Sequence, residues 1–247
     1  MKSPQNASPS RRLWGKRRFA GQVVNLSCKV ALILGLALAI VGYFGPWVDH
    51  KTAALVLTGQ DMGELVKFLP EVRARTTIMI RELFYLPPFV AALCLILLMA
   101  HKRLAYPSLI RAVMVLTVLG LAWAMLPPVW TPQLLLTAEF RKQSVAIAFC
   151  LLLVVVHPML RHLPPRSVTV AVMVLATLGA GPPLWQFFAV RQAVSRAYGW
   201  PVPVGWGLWA TAFGFLIVIV GAVTMFLSQS RGPEHGGQED GVKGSAR

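Results

Sequence analysis

Residues Ala171 to Gly179 read AVMVLATLG, and seven of these nine positions are identical in Ala112 to Gly120, AVMVLTVLG. Neither copy carries a charge or the apolar–polar alternation of a half-buried strand. Each lies in an apolar run of about 20 residues, the length that takes a helix across roughly 30 Å of hydrocarbon. Both runs leave in the same way, the first through Pro127-Pro-Val-Trp130 and the second through Pro182-Pro-Leu-Trp185. A shorter form of that exit, Gly45-Pro46-Trp47, closes an earlier apolar run. Proline donates no backbone hydrogen bond and ends regular helix, while an indole favours the headgroup layer. Each proline–tryptophan pair is therefore expected to mark the depth at which a helix leaves a bilayer. Two histories give such a phrase: convergence, because Ala, Val, Leu and Met dominate any spanning helix, or duplication of a helical hairpin, the expected one, which makes the hairpins parallel repeats about an axis along the membrane normal.

The rest of the chain fits that reading. Of 247 residues, 56% are hydrophobic and 13% charged, and the mean hydropathy of +0.62 is far from the soluble average. Apolar segments occur at 29–48, 83–100, 109–128, 143–160, 168–189 and 206–228. The expected fold is all-α, a polytopic membrane helical bundle of six transmembrane helices arranged as three hairpins. Residues 1–28 form a basic arm, 29–228 the transmembrane domain with its main extracytoplasmic loop at 49–82, and 229–247 a polar, glycine-rich, disordered tail. Small residues four apart, such as Gly35 with Ala39 and Ala210 with Gly214, are expected to let neighbouring helices approach.

A formal charge of +15 suits nucleic acid in principle, yet the basic residues sit beside apolar segments rather than on a soluble domain. Topology accounts for them better, and no nucleic-acid partner is expected. With both termini in the cytoplasm, fifteen of the 24 lysines and arginines fall on that side, including the Arg11, Arg12, Lys16, Arg17 and Arg18 cluster. That cluster is expected to rest on anionic headgroups, with Trp14 and Phe19 beside it. The stretch Ser10 to Lys16 also resembles a twin-arginine export signal, but further positive charge follows it and no small-residue cleavage site does, so an uncleaved anchor is expected. Cys28, Cys94 and Cys150 are too scattered for a disulfide framework.

Function is expected to lie in the first outer loop. Met62, Leu65, Val66, Leu69 and Val72 recur at helical spacing, which predicts a short amphipathic helix lying on the outer surface or capping the bundle, bent or ended by Pro70. Asp49, His50, Asp61, Glu64, Lys67 and Glu71 give this loop its polar surface, the candidate for contact with a partner. Trp47, Trp130, Trp185, Trp200, Trp206 and Trp209 are expected to be interfacial anchors. Arg81 and Glu82 are expected at headgroup level, because a charge at the bilayer centre costs about 2.5 to 3.5 kcal/mol. The acidic and histidine side chains match no metal-binding spacing, and no nucleotide loop, haem motif or nucleophile elbow occurs, so no cofactor, metal site or catalytic residue is expected. None of the six spans has a charged residue near its centre, which weighs against pumps and ion-coupled carriers.

The stretch from Pro46 to Pro70, PWVDHKTAALVLTGQDMGELVKFLP, resembles bacterial multi-pass proteins with a proline–tryptophan exit followed by a glycine-containing outer segment. The likeness covers about the first hairpin and implies no activity. The expected function is that of a non-enzymatic multi-pass protein of a bacterial cytoplasmic membrane. It would be an accessory, assembly or sensor-like subunit, its partners the lipid bilayer and another membrane or extracytoplasmic protein. Two other classes stay open. One is a transporter or flippase for a lipid or apolar small molecule, and the other is a membrane enzyme using Asp49, His50 and Glu64.

Overall fold

The computed structural model of the chain describes residues 9–50, 55–65, 68–74, 79–127 and 131–230. The chain is predominantly helical. In order come α1 (Pro9–Phe44), β1 (Pro46–His50), β2 (Leu55–Thr58), α2 (Gly59–Leu65), α3 (Pro70–Arg73), a 3-10 turn (Arg81–Tyr85), α4 (Leu86–Ala100), α5 (Ser108–Ala124), α6 (Pro132–Leu135), α7 (Arg141–Leu160), α8 (Pro165–Tyr198) and α9 (Trp206–Ser230). Five stretches are long and apolar enough to cross a membrane: Leu26–Phe44, Arg81–Ala100, Arg141–Leu160, Pro165–Ala197 and Trp206–Ser230. The apolar helix Ser108–Ala124 is shorter, with 17 residues and so about 25 Å of rise.

The bundle is built around α4, whose residues from Val90 to Ile96 are all buried. Its neighbours are α5, α7, α8 and α1, while α9 closes the bundle against α1 and α8. The α1–α9 seam is the tightest. A β-carbon placed on Gly42 would stand 2.4 Å from the Thr211 amide nitrogen, and one on Gly214 would stand 2.4 Å from that of Ala39. Glycine at both positions lets the two backbones touch, as small residues do where no side chain has to be accommodated. The Gly35–Ala39 pair lies in this seam, and the residues of α9 that face α1 include Gly207, Thr211 and Gly214.

Two sequence expectations are corrected here. The fold is not purely helical, because Pro46–His50 and Leu55–Thr58 pair as an antiparallel hairpin. The register shifts between Pro46 and Val48, leaving Trp47 as the extra residue of a bulge, and so the consecutive residues Trp47 and Val48 are both buried. An isolated two-stranded hairpin is marginal in water. This one is held by a Val48–Val204 bridge, by the Gly205 amide donating to the Trp47 carbonyl at 2.7 Å, and by the hydrophobic core beneath it.

The second correction concerns the fifth span, which does not end at Pro182 and Pro183. The helix runs through both prolines to Tyr198. It stops at Gly199, whose φ of 72° lies in the left-handed region, with the Trp200 amide donating to Ser195 O at 3.2 Å and the Gly199 amide to Arg196 O at 3.2 Å. An interior proline costs about 3 kcal/mol. The turns beyond the pair bury Phe187, Val190 and Val194, each contributing about 1.5 to 3 kcal/mol, which is comparable with the cost of the two prolines and offsets it. By contrast α1 ends at Phe44, before Pro46, and α5 ends at Ala124, before Pro127, as the exit pattern predicts.

The two copies of the repeated phrase bury different faces. In α5 the buried positions are Met114, Val118 and Leu121, while in α8 they are Val172, Ala176 and Gly179, which align with Val113, Thr117 and Gly120. The buried stripe is thus displaced by one residue, about 100° around the helix. The N-terminal arm is continuous with the first span, since α1 starts at Pro9. The tail from residue 231 lies outside the described residues.

Candidate functional site: a folded cap and its ion pairs

At the end of the bundle where α1 finishes and α4 begins, the connecting segments fold into a cap with its own core. Trp47 lies at its centre. The ring is fully enclosed and meets Tyr43, Phe84 and Phe187 edge-on at centroid distances of 6.2, 6.2 and 5.9 Å. Its indole nitrogen donates at 3.2 Å to the Gly42 carbonyl, which also accepts from the Gly45 amide at 3.1 Å where α1 ends. Met62, Leu69, Phe187, Val190, Val194, Val202 and Leu208 complete this core.

Trp47 is therefore not an interfacial anchor. It exits the helix as the sequence suggests, but a bulge and a waiting aromatic pocket bury it in protein. Trp185, Trp200, Trp206 and Trp209 are exposed, and Trp130 lies outside the described residues. The apolar periodicity of the first loop is likewise a core signal. Met62 and Leu69 are buried, with Leu65 and Val72 packed against them, but they do not share one helix: Met62 and Leu65 are on α2, Leu69 precedes α3, and Val72 is on α3, which Pro70 opens. Val66 and Lys67 lie outside the described residues.

The polar residues of this loop serve separate structural tasks. Asp49 is exposed on β1, and His50 ends the same strand. Asp61 accepts from the Thr58 amide at 3.0 Å and its hydroxyl at 2.7 Å, while the Thr58 hydroxyl accepts from the Asp61 amide at 3.3 Å. That reciprocal pair caps α2. Glu64 accepts from the Tyr85 hydroxyl at 2.7 Å and pairs with Arg81. Glu71 pairs with Nε of Arg196 at 3.1 Å, which ties the first loop to the extension of α8.

The residue that gathers most of these contacts is Arg81. It pairs with Glu64 and, at 3.3 Å, with Glu139, and its guanidinium lies 4.8 Å from the Phe140 ring centre and 5.7 Å from that of Tyr85. Beside it Lys142 pairs with Glu82 at 2.7 Å. Both partners of that pair are substantially exposed, so it is worth under about 1 kcal/mol. Gln143 donates to the Met125 carbonyl at the end of α5. These contacts surround a cavity of about 210 Å³ whose walls include Leu86, Phe89, Met125 and Ala146. Sequence reading reached Arg81 and Glu82 but missed Tyr85, Glu139 and Lys142. The contacts join segments 58 and 60 residues apart, and the only local signal was the charge-rich stretch AEFRKQ.

On the flank of the cap a broader hollow of about 770 Å³ is lined by Phe188, Arg191, Gln192, Ser195, Arg196 and Trp200, among others. Arg191 is held by its Nε donating to the Val202 carbonyl at 2.9 Å. Among the described residues no three His, Cys, Asp or Glu side chains converge where a metal could sit.

The opposite end of the bundle has a smaller polar cluster. Thr169 donates to the Pro165 carbonyl at 2.9 Å, so its oxygen accepts from Gln229 at 3.2 Å and from Nε2 of His101 at 3.4 Å. This assigns the Nε2–H tautomer to His101, whose ring is buried. Burial pushes the imidazole below its ordinary value of 6.5, and Arg103 acts in the same direction, while a hydrogen bond to the Pro165 backbone opposes them.

Comparison with protein-family models, curated proteins and solved structures finds no match to this chain, so the likeness drawn on Pro46 to Pro70 gains no relative.

Proposed function

We propose that this chain is a non-enzymatic multi-pass protein of a bacterial cytoplasmic membrane, an accessory, assembly or sensor-like subunit that engages a partner through its cap. In this reading six helices cross the bilayer, α5 being the sixth beside the five long stretches. Both termini lie inside, and the first loop with the α8 extension faces outward. The observation that carries the reading is the flank hollow. Its two arginines and two aromatic side chains combine features enriched where proteins meet, and Arg196 links it to the first loop through Glu71. The acid–base side chains of the cap weigh the same way, since Asp61, Glu64 and Glu71 are engaged in a helix cap or in ion pairs.

Photocrosslinking from Trp200 and from Phe68, an exposed residue of the first loop just before α3, each replaced by a photoreactive residue, tests the proposal in native membranes. A discrete protein adduct from both positions, lost on substituting Arg191 with Glu, is the expected result. No adduct from either position, together with catalytic turnover by the isolated chain, would overturn it. A lipid or apolar-molecule carrier is the second reading, favoured by the cavity beside Arg81. Protein-dependent lipid flux in reconstituted vesicles would establish it, and none across a broad lipid panel would remove it.

A further inference from the structure

The cavity beside Arg81 has two chemically different parts. Leu86, Phe89, Met125 and Ala146 form apolar walls, while Arg81, Glu82, Glu139 and Lys142 stand around the mouth. It lies where the apolar helices α4 and α7 both begin, the level at which a span meets headgroups. The mouth holds two cations and two carboxylates, paired as Arg81 with Glu139 and Lys142 with Glu82, and Arg81 is also paired with Glu64 behind it. An anionic headgroup there would meet two carboxylates and leave a net charge. A zwitterionic group gives each sign a partner, its anion toward Lys142 and Arg81 and its cation toward Glu82 and Glu139. Lys142 is 76% exposed and so can turn from its carboxylate to a phosphate.

We propose that this cavity binds one phospholipid from the adjoining leaflet, with the upper part of an acyl chain on the apolar walls and a zwitterionic headgroup, phosphate beside primary ammonium, across the charged mouth. The site rests on the bundle lying in a membrane and is independent of the cap's protein partner, whose crosslinking test reads a different surface. Small apolar pockets with a few placed polar groups are the usual form of such sites.

Native mass spectrometry of the full chain from mixed micelles holding equal amounts of phosphatidylethanolamine and phosphatidylglycerol tests the assignment. One retained phosphatidylethanolamine per chain is expected, in roughly tenfold preference, the ratio that one well-placed charged contact supplies. Ala146→Trp, which fills the cavity, should abolish retention, and Glu82→Lys, which replaces the ammonium's partner with a further cation, should reverse the preference at the mouth. Because a filled cavity can also disturb folding, a second measurement uses wild-type protein with phosphatidylethanolamine carrying a diazirine high on one chain. Crosslinks at Phe89, Met125 or Ala146 support the site. No retained lipid, equal retention of the two lipids, retention unchanged in both variants, or crosslinks confined to other helices would each overturn it.

Discussion

Two stretches of this chain, Arg81–Ala100 and Arg141–Leu160, have the same length of 20 residues and nearly the same mean hydropathy, 2.4 and 2.1. Yet within the most apolar 18 residues of each, 78% of the first is buried in protein and only 6% of the second. In α7 only Cys150 is fully enclosed, whereas α4 presents buried residues on every side. The difference teaches that hydropathy reports exclusion from water and is silent on what replaces the water. Around α4 the replacement is α1, α5, α7 and α8. Along α7, side chains such as Leu152, Val155 and Met159 point away from the chain and are left for lipid. The cap makes the same point differently, since its core is centred on the rings of Tyr43, Trp47, Phe84 and Phe187 and rimmed by ion pairs, while the bundle core is mostly aliphatic.

Matched substitutions would break or sharpen this contrast. The largest effect is expected from Ile96→Asp, which places an unpaired charge among buried residues and should cost more than about 4 kcal/mol, enough to prevent recovery of folded protein. Val155→Asp, on a residue that is 76% exposed, should be recovered in detergent, with yield of monodisperse protein as the measure. Next comes Ala92→Leu in α4, an overpacking expected to cost about 1 to 3 kcal/mol. Its counterpart Ala148→Leu in α7 should shift the thermal unfolding midpoint hardly at all, because Ala148 is exposed.

The repeated phrase offers a smaller version of the test. A β-carbon on Gly179 would stand 2.6 Å from the Phe215 ring and 2.9 Å from Val90, whereas one on Gly120 would meet nothing within 4 Å. Gly179→Ala should therefore destabilise by about 1 to 2 kcal/mol, and Gly120→Ala should be neutral or stabilising by up to about 1 kcal/mol. Equal effects at the two glycines would mean that both copies are packed alike.

The smallest effect concerns pH at the end of α4. His101 is held neutral in the fold by burial, so the unfolded chain binds the extra proton first. Its contribution is fully present above the unfolded value of 6.5 and is lost as pH falls below it toward the depressed folded value. Thermal midpoints measured from about pH 7.5 down to about 5 should decline less in His101→Asn than in the parent. A parallel decline would remove His101 as the cause.

Much of the bundle was legible in the sequence because long apolar runs have few alternatives. The segments at 83–100, 143–160 and 206–228 fall within Arg81–Ala100, Arg141–Leu160 and Trp206–Ser230. The sequence was misleading where a local rule met distant packing. Pro182 and Pro183 lie inside a helix because the residues after them are buried in the cap, and Trp47 is turned inward because partners 37 and 140 positions later form its pocket. The candidate site was legible as a set of polar residues, but their roles depend on pairings such as Glu71 with Arg196 and Glu82 with Lys142, which no local pattern encodes.

The contrast between α4 and α7 can be measured directly by carbene labelling of the purified chain in vesicles, with a reagent that partitions into hydrocarbon, read peptide by peptide. Dense label on Arg141–Leu160 and little on Leu86–Ala100 is the predicted result. Equal labelling, or a heavily labelled α4, would contradict a bundle built around that helix.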